Sequence, residues 1–176
     1  MTTIYDDMSS SDPLGARRTV DLGDDPALTE RLGAMVGERL RPGDTVALVG
    51  SLGAGKTTFT RGLAKGLEID DPDAVSSPTY LLVIEHAGSP PLLHADAYLP
   101  EKLEGFLEDG GLEYLFDSGK VVVVEWADKI RKQLPDRVLW VELAVISKPG
   151  RKVCLRSDDT GAFAWIADFP AILSQA

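Results

Sequence analysis

Gly50-Ser51-Leu52-Gly53-Ala54-Gly55-Lys56-Thr57-Thr58 follows the apolar run Thr45-Val46-Ala47-Leu48-Val49 and opens onto Phe59-Thr60-Arg61-Gly62-Leu63-Ala64. A strand, a glycine-rich loop ending in Gly-Lys-Thr, and a helix together satisfy the whole P-loop pattern. Glycines at 50, 53 and 55 let the backbone turn so that successive N–H groups face one anion, and the positive end of the following helix adds to the attraction. From these positions the backbone from Gly50 to Thr58 is expected to cradle the α/β-phosphates of a nucleotide, with Lys56 reaching the β/γ-phosphates. The Thr57 hydroxyl is placed to ligate the Mg²⁺ that travels with a nucleoside triphosphate.

Outward from the loop, the chain is long enough for one P-loop domain and short for two. Residues 1–16 are rich in Ser and Asp without periodicity, which predicts a flexible acidic arm. Arg17 to Leu22 reads as a short strand. Asp25-Pro26 is a helix start, with a capping carboxylate followed by proline at the first helical position. Leu28, Leu32, Met35, Val36 and Leu40 then fall on one face at helical spacing.

Beyond the P-loop helix, expected over residues 56–67, Leu81 to His86 and Leu92 to Ala95 are separated by Gly88-Ser89-Pro90-Pro91 and predict an antiparallel hairpin. Residues 100–108 predict a helix broken by Gly110-Gly111, and Leu112 to Phe116 another short one. Val121-Val122-Val123-Val124 has no polar alternation and reads as a strand buried on both faces. Lys129 to Leu134 predicts a short helix stopped by Pro135. Val138 to Val145 and Val153 to Arg156, around Lys148-Pro149-Gly150-Arg151, form a final hairpin. A domain is therefore expected over 17–156. In the tail, residues 157–176, the spacing of Phe163, Trp165, Ile166 and Phe169 permits a docked helix.

A net charge of −10 excludes the whole surface as a nucleic-acid platform and gives no reason to expect DNA binding. The N-terminal residues lack the basic start and apolar block of a secretory signal, no run approaches a membrane span, and a single cysteine, Cys154, forms no internal disulfide. These features predict a cytoplasmic protein with no membrane contact.

Hydrolysis needs an acid at the carboxyl end of a neighbouring strand. Glu125 follows the four valines in Walker B form, and Asp96 ends the strand carrying His94 and Ala95. Thr79 is either an ordinary turn residue or a hydroxyl that senses Mg²⁺ or γ-phosphate from a switch loop. Trp126 is either packing or part of a site beside Glu125. His86 and His94 lack metal-ligand spacing, and His94 reads as a strand residue.

Gly53-Ala54-Gly55-Lys56-Thr57-Thr58-Phe59, Arg61-Gly62, Ser77-Pro78-Thr79-Tyr80, His94-Ala95-Asp96-Ala97-Tyr98 and Glu125-Trp126 occur in the order seen in the TsaE family, which the segment from Ala27 to Arg156 resembles. The resemblance implies a compact three-layer α/β P-loop NTPase-like domain with a mixed, mainly parallel central sheet and antiparallel hairpins. It also implies ATP and Mg²⁺ binding and weak ATPase activity. Partners would be a TsaB–TsaD pair that forms the threonylcarbamoyl group on adenosine 37 of tRNA, with tRNA met only through that complex. Lys56, Thr79, Asp96 and Glu125 match the family's catalytic positions, Thr57 and Glu125 its metal contacts, and Trp126 its site tryptophan. Between the acids, we favour Glu125 for metal and Asp96 for water. Ala95, Ala97 and Leu99 depart from the family, which usually carries bulky residues at the first two positions and arginine at the third.

Two other readings use the same loop. A small-molecule or nucleotide kinase needs an arginine-bearing lid, for which only Arg131 and Arg137 lie near a suitable connection. A GTPase switch would draw on Asp158-Asp159-Thr160-Gly161, but no Asn-Lys-x-Asp motif follows.

Overall fold

The computed structural model describes residues 16–116, 119–146, 150–159 and 161–174. The expected acidic arm lies outside these, apart from Ala16, as do Lys148 and Pro149 of the last turn and Thr160. Seven strands form one sheet: β1 (Ala16–Gly23), β2 (Thr45–Val49), β3 (Val83–His86), β4 (Leu92–Asp96), β5 (Val121–Glu125), β6 (Val138–Val145) and β7 (Arg151–Ser157). Their order is β1-β7-β6-β2-β5-β4-β3. The central pairs β6/β2, β2/β5 and β5/β4 are parallel, and the flanking pairs β1/β7, β7/β6 and β4/β3 are antiparallel. This is the mixed, centrally parallel α/β sheet that the family resemblance implies.

Strand alternation divides the core into two layers. Val46 and Leu48 of β2 join Val121 and Val123 of β5 on the face covered by α1 (Pro26–Gly37) and α2 (Lys56–Gly66). Ala47, Val122 and Val124 point to the opposite face, where Leu103 of α3 (Pro100–Phe106), Leu115 of α4 (Leu112–Leu115), Ala127 and Ile130 pack. Every residue of β5 is buried, as its unbroken valines require.

Asp25 caps α1 by accepting from the Ala27 N–H at 2.8 Å, with Pro26 at the first helical position. Asp25→Ala is expected to lower stability by about 1 kcal/mol. In a domain of this length that is a fall in Tm of about 2–4 °C, measurable by thermal denaturation.

Several boundaries differ from the sequence reading. β3 begins at Val83 rather than Leu81, because Leu82 adopts φ 68°, which no extended strand accommodates. The segment expected as a helix over 129–134 is a 3₁₀ stretch, Ala127–Gln133, interrupted at Ile130 by φ −121°. The docked helix that the tail's spacing permits is a short 3₁₀ turn, Ala164–Asp168. Phe169, held extended at ψ 143° before Pro170, ends that turn. Phe163, Ile166, Phe169 and Leu173 are nonetheless buried in the α1/α2 layer.

Candidate functional site

Parallel register places the two acids side by side. Asp96 ends β4 and Glu125 ends β5, and the two are direct partners across the ladder. Glu125 is also one strand away from Leu48 of β2, whose chain continues into the glycine-rich loop. The rim formed by these three strand ends is where a doubly wound sheet binds ligands.

A cavity of about 490 Å³ opens on this rim. It is lined by Leu52, Gly53, Gly55, Lys56, Thr57 and Thr58 of the loop and α2, by Ser77 and Thr79, and by Asp96, Tyr98, Glu125 and Trp126 at and beyond the ends of β4 and β5. Of the expected nucleotide-loop residues, Gly50, Ser51 and Ala54 stand back from the opening. The Gly50 and Ser51 carbonyls instead accept from Lys56 Nζ at 2.8 and 3.0 Å, and Ala54 is buried in the core.

Gly55 sits at φ 106°, a left-handed conformation that releases the chain directly into α2, and no side chain caps that helix. The first-turn N–H groups of α2 are thus left for an anion. Lys56 is 5% exposed, and its ammonium lies 3.7 Å from the centre of the Trp126 ring. Burial pushes the Lys56 pKa below its ordinary value, and the Glu125 and Asp96 carboxylates oppose that shift. Trp126 holds this position with φ 57°, which turns the chain off the end of β5.

The acids are engaged by different partners. Glu125 Oε1 accepts from the Thr57 hydroxyl at 2.9 Å, with Oε2 at 3.2 Å, and from His94 Nε2 at 3.0 Å. Asp96 Oδ2 accepts from the hydroxyls of Ser77 at 2.5 Å and Thr79 at 2.8 Å, while Oδ1 accepts from the Tyr98 N–H at 2.7 Å. Ser77, Tyr98 and His94 were not singled out as site residues from sequence. The signal for His94 was its spacing of two from Asp96, which puts both on one face of a strand. The signal for Ser77 was the pair of hydroxyls bracketing Pro78.

Arginines stand elsewhere. Arg61 donates to the Val75 carbonyl at 3.3 Å and lies 3.8 Å from Glu30 of α1. Arg131 stacks on Trp140, and Arg137 pairs with the buried Asp44. The lid arginines that a kinase reading requires are therefore engaged away from the cavity, and among the described residues none lines it.

A family model described as threonylcarbamoyl adenosine biosynthesis protein TsaE matches residues 24–153. The chain belongs to the TsaE family. A TsaE protein of Treponema pallidum is 37% identical over 125 residues, covering 71% of this chain and 90% of that protein. The Bacillus subtilis TsaE protein is 40% identical over 126 residues, covering 71% and 75%. The crystal structure of Bacillus subtilis YdiB superposes with a TM-score of 0.63 at 26% identity, covering 88% of this chain and 92% of that one. These TsaE relatives are tRNA threonylcarbamoyladenosine biosynthesis proteins, and the family implies nucleotide binding.

The donor set fits a nucleotide carrying a divalent cation. Uncapped N–H groups and Lys56 suit phosphate, while Thr57 and Glu125 offer hard oxygen ligands. Among the described residues no cluster of three or more His, Cys, Asp or Glu could hold a metal ion alone. No described helix is long and apolar enough to cross a membrane.

Proposed function

We propose that this TsaE-family chain binds and hydrolyses ATP with Mg²⁺ and so supports repeated formation of the threonylcarbamoyl group on adenosine 37 of tRNA. The transfer itself belongs to a TsaB–TsaD-type pair on which the chain acts, and tRNA is met through that complex. The observation that carries the reading is the convergence of Lys56, Thr57, Asp96 and Glu125 on one cavity at the mouth of an uncapped helix.

Lys56 and the first-turn N–H groups of α2 bind and orient the phosphates. Thr57 and Glu125 hold Mg²⁺, which supplies Lewis-acid stabilisation of charge on the phosphoryl oxygens. Asp96 orients the attacking water and accepts its proton. Thr79, bonded to Asp96 across a loop, makes that loop responsive to what occupies the cavity. The absence of arginine from the described lining supports slow hydrolysis by the isolated chain, since a missing arginine finger slows P-loop NTPases by about 10³–10⁵-fold.

Mg²⁺-dependent ATP turnover, measured with and without the cognate TsaB–TsaD pair, tests the proposal. Turnover is expected to be slow alone and faster with the pair, and both Lys56→Ala and Glu125→Ala are expected to abolish repeated tRNA modification. Equal rates with and without the pair would remove the partner-dependent step.

A further inference from the structure

His94 is fully buried in the middle of β4, yet its polarity is only half used. Nε2 lies 3.0 Å from Glu125 Oε1, while Nδ1 is buried with no hydrogen-bond partner. A buried polar atom left unpaired costs about 1–3 kcal/mol. An apolar side chain of similar size would avoid that cost, since Leu92, Val121 and Val123 already surround this layer with hydrocarbon. Beside a tilted ring contact with His86 at 6.1 Å, the polar contact that gives the imidazole a purpose is the bond to Glu125.

Strand geometry explains why the ring reaches that carboxylate. His94 is the ladder partner of Val123, and Asp96 that of Glu125, so His94 sits one pleat behind both acids on the face covered by α2. Ionised Glu125 only accepts, so Nε2 carries the hydrogen. The Thr57 hydroxyl and the His94 N–H converge on the same oxygen, Oε1, fixing the carboxylate's rotamer beside the first turn of α2.

We infer that His94 is a positioning residue that orients Glu125 through the Nε2–H bond to Oε1, and so sets how well the carboxylate and Thr57 take a nucleotide-borne divalent cation. This rests on the Mg²⁺–ATP reading of the cavity. His94 is not among the residues lining the cavity, and its contribution passes through Glu125. Comparable outer partners of metal ligands are worth about 10–100-fold in metal affinity or activity.

The experiment compares His94→Leu, which removes the donor, with His94→Gln, whose Nε2–H stands near the lost one. Nucleotide affinity is titrated with ADP in EDTA and again across a Mg²⁺ series, alongside thermal denaturation. In His94→Leu, metal-free ADP affinity and Tm are expected to stay at or above wild-type values, while the Mg²⁺ concentration giving half the affinity gain rises about tenfold or more. His94→Gln is expected to recover most of that shift. A wild-type Mg²⁺ response in His94→Leu would overturn the inference and leave the cavity reading intact. So would equal impairment in both variants, or a loss of metal-free ADP binding together with a fall in Tm. If wild-type protein itself shows no Mg²⁺-dependent gain, the reading of the cavity fails first and the inference falls with it.

Discussion

Glu125→Gln is expected to keep the fold and the binding of metal-free nucleotide, while losing the affinity gained from Mg²⁺ and slowing hydrolysis by about 10²-fold or more. Glutamine matches the shape of a side chain that is 2% exposed, and its carbonyl still accepts from Thr57 and His94. What disappears is the negative charge. Asp96→Asn makes the contrast. Asparagine keeps its one oxygen on the Tyr98 N–H and turns its NH2 toward the Ser77 and Thr79 hydroxyls, which rotate to accept, so the loop remains docked. This variant is expected to retain the Mg²⁺-dependent gain in affinity and to lose turnover by about 10²–10⁴-fold, as for a missing base. ATP titrations with and without Mg²⁺, set beside single-turnover hydrolysis, separate the two. If Asp96→Asn loses the metal response and Glu125→Gln keeps it, the roles of the acids are exchanged.

Gly62→Ala is expected to destabilise the protein by about 1–3 kcal/mol even though alanine is the better helix former. A methyl group at residue 62 of α2 would lie 2.0 Å from the Glu30 carbonyl oxygen and 2.9 Å from the Gly33 Cα. The approach is reciprocal, because a Cβ on Gly33 would meet the Phe59 carbonyl at 2.3 Å, and one on Gly37 the Leu63 carbonyl at 2.5 Å. Backbone meets backbone here, so no side chain can swing aside. The helix carrying Lys56 and Thr57 would have to lift from α1, and nucleotide affinity should fall with stability. Gly105→Ala in α3 is the control: nothing lies within 4 Å of its added Cβ, so it should gain up to about 1 kcal/mol. Thermal denaturation of the pair should give shifts of opposite sign.

Much of the fold is local enough to read in advance. Asp25-Pro26 announces α1 through the chemistry of a helix start, and the four valines before Glu125 describe a strand with apolar neighbours on both sides. The loop from Gly50 to Thr58 names its own conformation, since few sequences release a strand into an uncapped helix through glycine. What stayed hidden depends on distant segments. Nothing near Val138 announces that β6 lies parallel beside β2, and nothing near Ser77 reveals that its hydroxyl lands on Asp96. His94 was visible as a strand residue, but its partner lies on another strand and is brought close only by register. The short 3₁₀ segments were misread for a different reason: single non-helical dihedrals, as at Trp126, Ile130 or Phe169, bound or interrupt them before a full α-helix can form.

The close seating of α1 on α2 also has a mechanical consequence. Gly33, Gly37, Gly62 and Gly66 bring the two main chains together along their length, so the pair behaves as one stiff plate. A displacement of the first turn of α2 is then expected to carry α1 with it, leaving compliance to the loop carrying Ser77 and Thr79 and to the turn at Trp126. Amide exchange would register this as α1 and α2 protected alike with or without ATP, and a nucleotide-dependent change confined to those two loops.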